Sequence, residues 1–210
     1  MSRLVYVGDP MCSWCYGFGP QLSALLAAHP DAVIEIVAGG LRPYNTNPMT
    51  DEFRGMLSGH WKSVEQMSGL PFSEAALQAE GFIYDTEPAC RAVVTARAHS
   101  AERALPYFQA VQAAFYRDGR DVTRGEVLAD IASENGMVRE TFLAAWRSEV
   151  ARDAVRNDFA ATQKLGVSGF PTLAVRKADS LFLVASGFCT VAVLEERLAA
   201  IEARTTEGKQ

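Results

Sequence analysis

Cys12 and Cys15, separated by Ser13 and Trp14, are the residues of this sequence whose type and spacing are best suited to chemistry. On a helix, residues three apart share a face with their Cβ atoms about 5–6 Å apart. That spacing allows a disulfide to form and open with little backbone movement. At a helix start, free N–H groups and the positive end of the dipole favour a thiolate over a thiol. Cys12, nearer that end, is expected to be the attacking thiolate. Cys15, one turn inward, is expected to resolve the mixed disulfide formed with a partner. A metal site would need further ligands, but Cys90 and Cys189 stand alone and His29, His60 and His99 are scattered. A purely structural disulfide is disfavoured in a cytosolic protein of this size.

The elements that must position this pair can be read on either side of it. Leu4 to Val7 is a short apolar run closed by Gly8-Asp9-Pro10 and reads as a buried strand. A helical pattern starts near Cys12 and ends at His29-Pro30. Val33 to Ala38 is a second β-rich run, closed by Gly39-Gly40. Strand, helix, strand implies a parallel βαβ unit with a right-handed crossover. From Thr50 to Gly166 nearly everything reads as helix, with starts at Thr50, at Ser73-Glu74 and at Thr86-Glu87-Pro88. Thr123 and Glu126 have capping-box spacing, and Gly136 and Gly166 stand where helices would stop. Thr172 to Val175 and Leu181 to Ala185 are expected as a hairpin joined by Arg176 to Ser180. Val191 to Ala203 reads as a last amphipathic helix, and the tail from Arg204 as frayed. The expected fold is α/β: a discontinuous domain over residues 1–40 and 150–206, with an all-helical insertion over 41–149.

Composition narrows the functional classes. Of the 210 residues 49% are apolar and 21% charged, as in ordinary globular proteins. The net charge of −5, with no Lys/Arg-rich block, argues against nucleic-acid binding. No stretch approaches the ~18 apolar residues of a membrane span. If the chain begins at its natural start, no secretory signal is present, and the expected location is the cytoplasm. There a close cysteine pair points to catalysis or metal binding.

Taken together, these features resemble the thioredoxin superfamily, and specifically its DsbA-like branch. The resemblance is carried by Cys12-Ser13-Trp14-Cys15-Tyr16-Gly17 after strand one, by Gly169-Phe170-Pro171-Thr172 before strand three, and by the helical insert. Glu87-Pro88-Ala89-Cys90-Arg91-Ala92 is similar to the cytoplasmic FrnE-type members, which are predicted protein-disulfide isomerases. The resemblance implies a cis Pro171 beside Cys12, and pairing of the Phe170 backbone with an extended substrate by strand addition. Tyr16, Phe170 and Thr172 then become the expected substrate contacts, and Ser13, Trp14, Phe170 and Pro171 the supports of the active site. A buried acid beneath the cysteines often assists proton transfer in this branch, and Asp9 is one candidate. Strongly oxidising members carry a His between the cysteines. Ser13 and Trp14 carry no charge, so a less oxidising disulfide is expected. The sequence does not encode the direction of redox flow, but in a reducing cytosol the pair would rest as a dithiol, which fits a reductase or isomerase better than an oxidase.

The remaining candidates have plainer readings. Cys90 fits a buried, inert thiol, with regulation as the alternative. Cys189 lies at a corner that can approach the active-site end in this architecture, yet packing accounts for it. Trp14 is expected to be partly exposed, with Tyr16, Phe18, Phe170, Met11 and Met49 extending an apolar platform; for Met11 and Met49 a core position is an equal account. Arg42, Tyr44 and Asn45 follow strand two on the side where α/β sheets bind ligands. No cofactor is expected, with glutathione as a co-substrate. Protein or small-thiol disulfides are the expected partners. Two other functions stay open: a glutathione-dependent isomerase or transferase of the kappa-class type, and a non-enzymatic chaperone or adaptor.

Overall fold

The computed structural model describes residues 3–178 and 180–207. The chain runs β1 (Arg3–Gly8), α1 (Ser13–Ala28), β2 (Val33–Ala38), α2 (Asp51–Ser68), α3 (Ala75–Gln78) and α4 (Glu87–His99). A 3-10 turn, Ala101–Arg103, leads into α5 (Ala104–Tyr116), α6 (Gly125–Glu134), α7 (Arg139–Arg147) and α8 (Glu149–Lys164). The chain then returns to the sheet as β3 (Thr172–Lys177) and β4 (Ser180–Ser186) and closes with α9 (Val191–Glu207). The four strands lie in the order β2-β1-β3-β4. β1 pairs with β2 in parallel and with β3 antiparallel, and β4 completes an antiparallel hairpin with β3.

Alternation along β1 sets the layers. Leu4 and Tyr6 face the large core that also holds Phe18, Leu22 and Leu25 of α1. Val5 and Val7 face the opposite side, with Val37, Val167 and Phe170. The large cluster continues from the sheet into the helices, through Trp61 of α2 and Phe115 and Tyr116 of α5. Gly17 permits the close approach of α1 and α2: a Cβ there would meet Val64 Cγ1 at 2.6 Å.

The outer margin of β2 is covered by side chains. Asp158 of α8 accepts the Ala38 N–H at 2.8 Å and a two-pronged bond from Arg97 of α4, each arm 2.8 Å. Arg97 also donates to the Ile36 carbonyl at 2.6 Å, and the Thr162 hydroxyl donates to the Ala38 carbonyl at 3.2 Å. Backbone groups that an edge strand would leave open are thus satisfied by the helical layer.

Three local expectations are corrected. Thr123 does not cap α6; its hydroxyl donates to Asp121, while Glu126 pairs with Arg139 and Arg147. The β3–β4 connection is shorter than Arg176–Ser180, because both strands extend into it; Asp179 of that turn lies outside the described residues. The tail expected to fray from Arg204 continues as α9 to Glu207, and Gly208 to Gln210 lie outside the described residues. Thr50 does cap α2, accepting the Phe53 N–H at 3.2 Å. Gly136 and Gly166 follow helix ends with positive φ.

Candidate active site

β1 delivers the loop Gly8 to Met11 to the start of α1, and Cys12 becomes the N-cap residue, with φ −94° and ψ 117°. Its own N–H is held by the Asp9 carbonyl at 3.0 Å, and its carbonyl accepts the Tyr16 N–H at 3.1 Å. No side chain caps the helix and no acidic residue stands in its first turn. The partial positive charge of the open N–H groups is therefore left for the Cys12 sulfur. Only 6% of Cys12 is exposed and 1% of Cys15. Both are free thiols, as are Cys90 and Cys189. The two sulfurs of the pair lie within hydrogen-bonding reach of each other.

The Phe170–Pro171 peptide bond is cis. It sets the Phe170 carbonyl opposite the pair, with Cys12 Sγ 3.8 Å from that oxygen. The β1–β3 ladder begins at Thr172, so Phe170 precedes it. The Phe170 ring lies over Gly39, where a Cβ would find three of its atoms within 2.9 Å. Trp14 is half-buried against Phe188, with ring centroids 6.1 Å apart. The corner carrying Phe188 and Cys189 thus abuts the motif.

Other expected contacts fall elsewhere. Tyr16 is buried, its ring stacked on Tyr116 at 5.0 Å and its hydroxyl donating to the Pro71 carbonyl at 3.3 Å. Met11 and Phe18 are wholly buried, so the exposed apolar platform contracts to Trp14, Phe170 and Met49, all partly buried. Thr172 is buried and donates to the Gly169 carbonyl at 2.8 Å, which shapes the turn before the strand. Ser13 is half-exposed at the first position of α1. In the loop after β2, the Arg42 guanidinium lies 4.1 Å over the Phe53 ring, and Tyr44 packs against Phe159. Arg42, Asn45, Phe53 and Tyr84 line a cavity of about 150 Å³ there.

Asp9 has no exposed surface. One carboxylate oxygen accepts the Met11 N–H at 2.8 Å; the other accepts the Leu41 N–H at 2.6 Å and the Cys90 thiol at 3.3 Å. The Thr86 hydroxyl is a further donor. Burial raises the Asp9 carboxyl above its ordinary range, opposed by those four donors. Cys90 is pushed well up by burial and then by the Asp9 charge, so it stays a thiol and a donor. This explains Thr86-Glu87-Pro88-Ala89-Cys90 at the head of α4: the segment closes the floor of the site. Thr86 also exchanges backbone and side-chain bonds with Arg42.

Two buried hydroxyls beside the pair gave no signal in the sequence: Tyr6 sits in an apolar strand, and Tyr84 lies some seventy residues from the motif. Tyr84 donates to the Met11 carbonyl. Tyr6 of β1, 1% exposed, has its hydroxyl beside the Cys15 sulfur. The Cys15 thiol is pushed well up, first by burial and then by the neighbouring Cys12; the Asp9 backbone N–H and the Tyr6 hydroxyl pull it down.

Among the described residues, no three His, Cys, Asp or Glu side chains gather as metal ligands. No helix among them is long and apolar enough to cross a membrane.

A β2-β1-β3-β4 sheet, with a helix starting at Cys12 and a cis-proline before β3, is a thioredoxin fold carrying a large set of helices between β2 and β3. The chain belongs to the DSBA-like thioredoxin domain family, whose model matches residues 3–199. A protein from Nitrosomonas europaea, described as a candidate protein disulfide isomerase, is 34% identical with a TM-score of 0.90, covering 97% of this chain and 98% of that one. The cytosolic disulfide reductase DsbM from Pseudomonas aeruginosa is 26% identical with a TM-score of 0.77, covering 97% and 98%. The same reductase has been solved with GSH, at 26% identity and a TM-score of 0.75, covering 97% of this chain and 99% of that one. No curated protein matches the sequence.

Proposed function

We propose that this protein is a thiol–disulfide oxidoreductase that works through Cys12 and Cys15 in the reductase or isomerase direction, in the cytoplasm. One observation carries the reading: the Cys12 sulfur stands at the start of a helix that no side chain caps, faces the carbonyl of Phe170 before a cis-proline, and has Cys15 one turn below it. Cys12 attacks one sulfur of a substrate disulfide and the other sulfur leaves as a thiolate. Cys15 then attacks Cys12 Sγ, and the second substrate thiolate leaves. Two electrons pass to the substrate, and the protein is left with a Cys12–Cys15 disulfide that a thiol reductant reopens.

Phe170, ahead of the β3 ladder, offers backbone to an extended peptide, with Trp14 and its own ring as apolar flanks. The likeness to DsbM supports both the cytosolic setting and glutathione as the reductant or co-substrate. The test is reduction of insulin disulfides with glutathione as electron donor. Turnover is expected in the wild type and lost in Cys12→Ser, while Cys15→Ala is expected to accumulate a mixed disulfide on Cys12. A Cys12→Ser variant that turns over like the wild type would remove the proposal.

A further inference from the structure

Cys15 must carry negative charge twice in such a cycle: when it attacks Cys12 Sγ, and when it is expelled as the disulfide is reopened. Its surroundings offer little to support that charge. It is 1% exposed, so water does not reach it freely. Burial and the neighbouring Cys12 both oppose its ionisation. Two donors face it, the Asp9 N–H and the Tyr6 hydroxyl.

The placement of Tyr6 is closely determined. Its ring stacks nearly parallel to Phe18, 6.1 Å between centroids and 11° between planes, and Phe108 meets it edge-on at 5.6 Å. The ring folds back across Gly8, where a Cβ would lie 2.8 Å from one ring carbon and 3.0 Å from the hydroxyl oxygen. A side chain at position 8 would occupy the space the Tyr6 ring and hydroxyl use. The charged or titratable groups facing Tyr6 are Cys15, Cys12 and Asp9, and together with burial they hold its hydroxyl well above the ordinary range. Tyr6 therefore stays protonated and remains a donor wherever the cysteines titrate.

We propose that Tyr6 is a catalytic residue of this disulfide exchange, its buried hydroxyl donating to Cys15 Sγ as that sulfur becomes a thiolate. The inference rests on the Cys12–Cys15 reading. In the resolving step Cys15 loses its proton to solvent or to the departing thiolate, the Tyr6 O–H points at the resulting anion, and the Cys15–Cys12 S–S bond forms as the Cys12–substrate S–S bond breaks. In the reverse direction an incoming thiolate bonds to Cys12 Sγ, the electron pair of the S–S bond moves to Cys15, and the same O–H receives it. Tyr6 keeps its proton throughout.

The size of the effect follows from two opposed tendencies. A charge-assisted hydrogen bond of ordinary strength moves a thiol's titration by about 1–2 pH units. Each such unit changes the thiolate fraction about tenfold below its titration point. It also changes nucleophilicity about threefold in the other direction. Losing the hydroxyl should therefore slow attack by Cys15 about three- to tenfold near neutral pH.

A chromogenic aromatic disulfide separates the steps. Attack by Cys12 releases one coloured thiolate, and resolution by Cys15 releases a second. The half-exposed Cys189 is first replaced by Ser to remove its background. In Tyr6→Phe the first release is expected to match the parent, while the second is three- to tenfold slower at pH 7. The pH at which the second rate levels off should rise by about 1–2 units. Gly8→Ala, which keeps the hydroxyl but displaces it, should slow the second release alone. Equal slowing of both releases in Tyr6→Phe would mean that the ring merely packs, and unchanged rates with an unchanged pH profile would likewise overturn the proposal. A parent protein that releases one equivalent only would overturn the Cys12–Cys15 reading and this inference with it.

Discussion

Gly39→Ala isolates how much depends on the placement of Phe170. Gly39 does not adopt a positive φ, so alanine is compatible with the backbone there. The added Cβ would find three Phe170 ring atoms within 2.9 Å, whereas carbon atoms in contact sit about 3.5–4.0 Å apart. The ring must withdraw by about 1 Å. Phe170 is half-buried and can yield toward solvent, so the stability cost should fall at the low end for overpacking, about 1 kcal/mol. The catalytic cost should be larger, because the Phe170 carbonyl stands 3.8 Å from Cys12 Sγ and its backbone is the proposed platform for substrate. A displacement of this size in an active site lowers rates by up to about a hundredfold. Insulin reduction with glutathione should therefore fall about ten- to a hundredfold in Gly39→Ala, with the urea midpoint barely moved. Removing the ring provides the control: in a Phe170→Ala background, adding Gly39→Ala should have no further effect. The reasoning fails if Gly39→Ala turns over like the wild type, or if its cost persists after the ring has gone.

Two further outcomes follow from the buried charges. Asp9 has a carboxyl raised by burial, so the folded state holds its proton to higher pH than the unfolded state does. Its contribution to stability is then greatest at and below the ordinary carboxylate range and declines as pH rises through the raised value. Denaturant unfolding should show the wild type gaining on Asp9→Asn as pH is lowered from 7 toward 4, and a gap that narrows on acidification would contradict this. Arg97→Ala removes both arms to Asp158 and the bond to the Ile36 carbonyl. Because Arg97 is a quarter exposed, the expected loss is about 2–3 kcal/mol, below the figure for a fully buried pair. A loss under about 1 kcal/mol in urea unfolding would show that the helices do not depend on this tie to the sheet.

Much of the fold could be read from the chain because the informative residues act locally. Leu4 to Val7 and Val33 to Ala38 are bounded by Gly and Pro, Thr50 caps the helix it precedes, and Cys12 stands where a strand gives way to a helix. The expected start at Ser73-Glu74 becomes only the single turn of α3. The Thr123–Glu126 spacing misled because Asp121, two residues back, competes for the Thr123 hydroxyl. Periodicity could not separate the apolar residues of α1 into those that line the site and those that hold the core. Tyr16 and Phe18 follow the motif directly, yet helical rotation turns both inward onto Tyr116 and Tyr6. Asp9 was visible as an acid near the motif, but its partners Leu41, Thr86 and Cys90 come from segments that only the tertiary fold assembles. The Tyr6 hydroxyl was hidden for the same reason: in sequence it is one more β-former in an apolar strand.

The small opening over the Cys12 sulfur has a consequence for traffic through the site. With 94% of that residue covered and an aromatic ring on the neighbouring proline loop, the disulfide exchange proposed above would favour a bond presented on a thin, pliable stretch of chain or on a molecule of tripeptide size. On the proposed function, bonds locked within a well-folded surface would be disfavoured by shape, and opened polypeptides or small thiol compounds would be the molecules best suited to reach it.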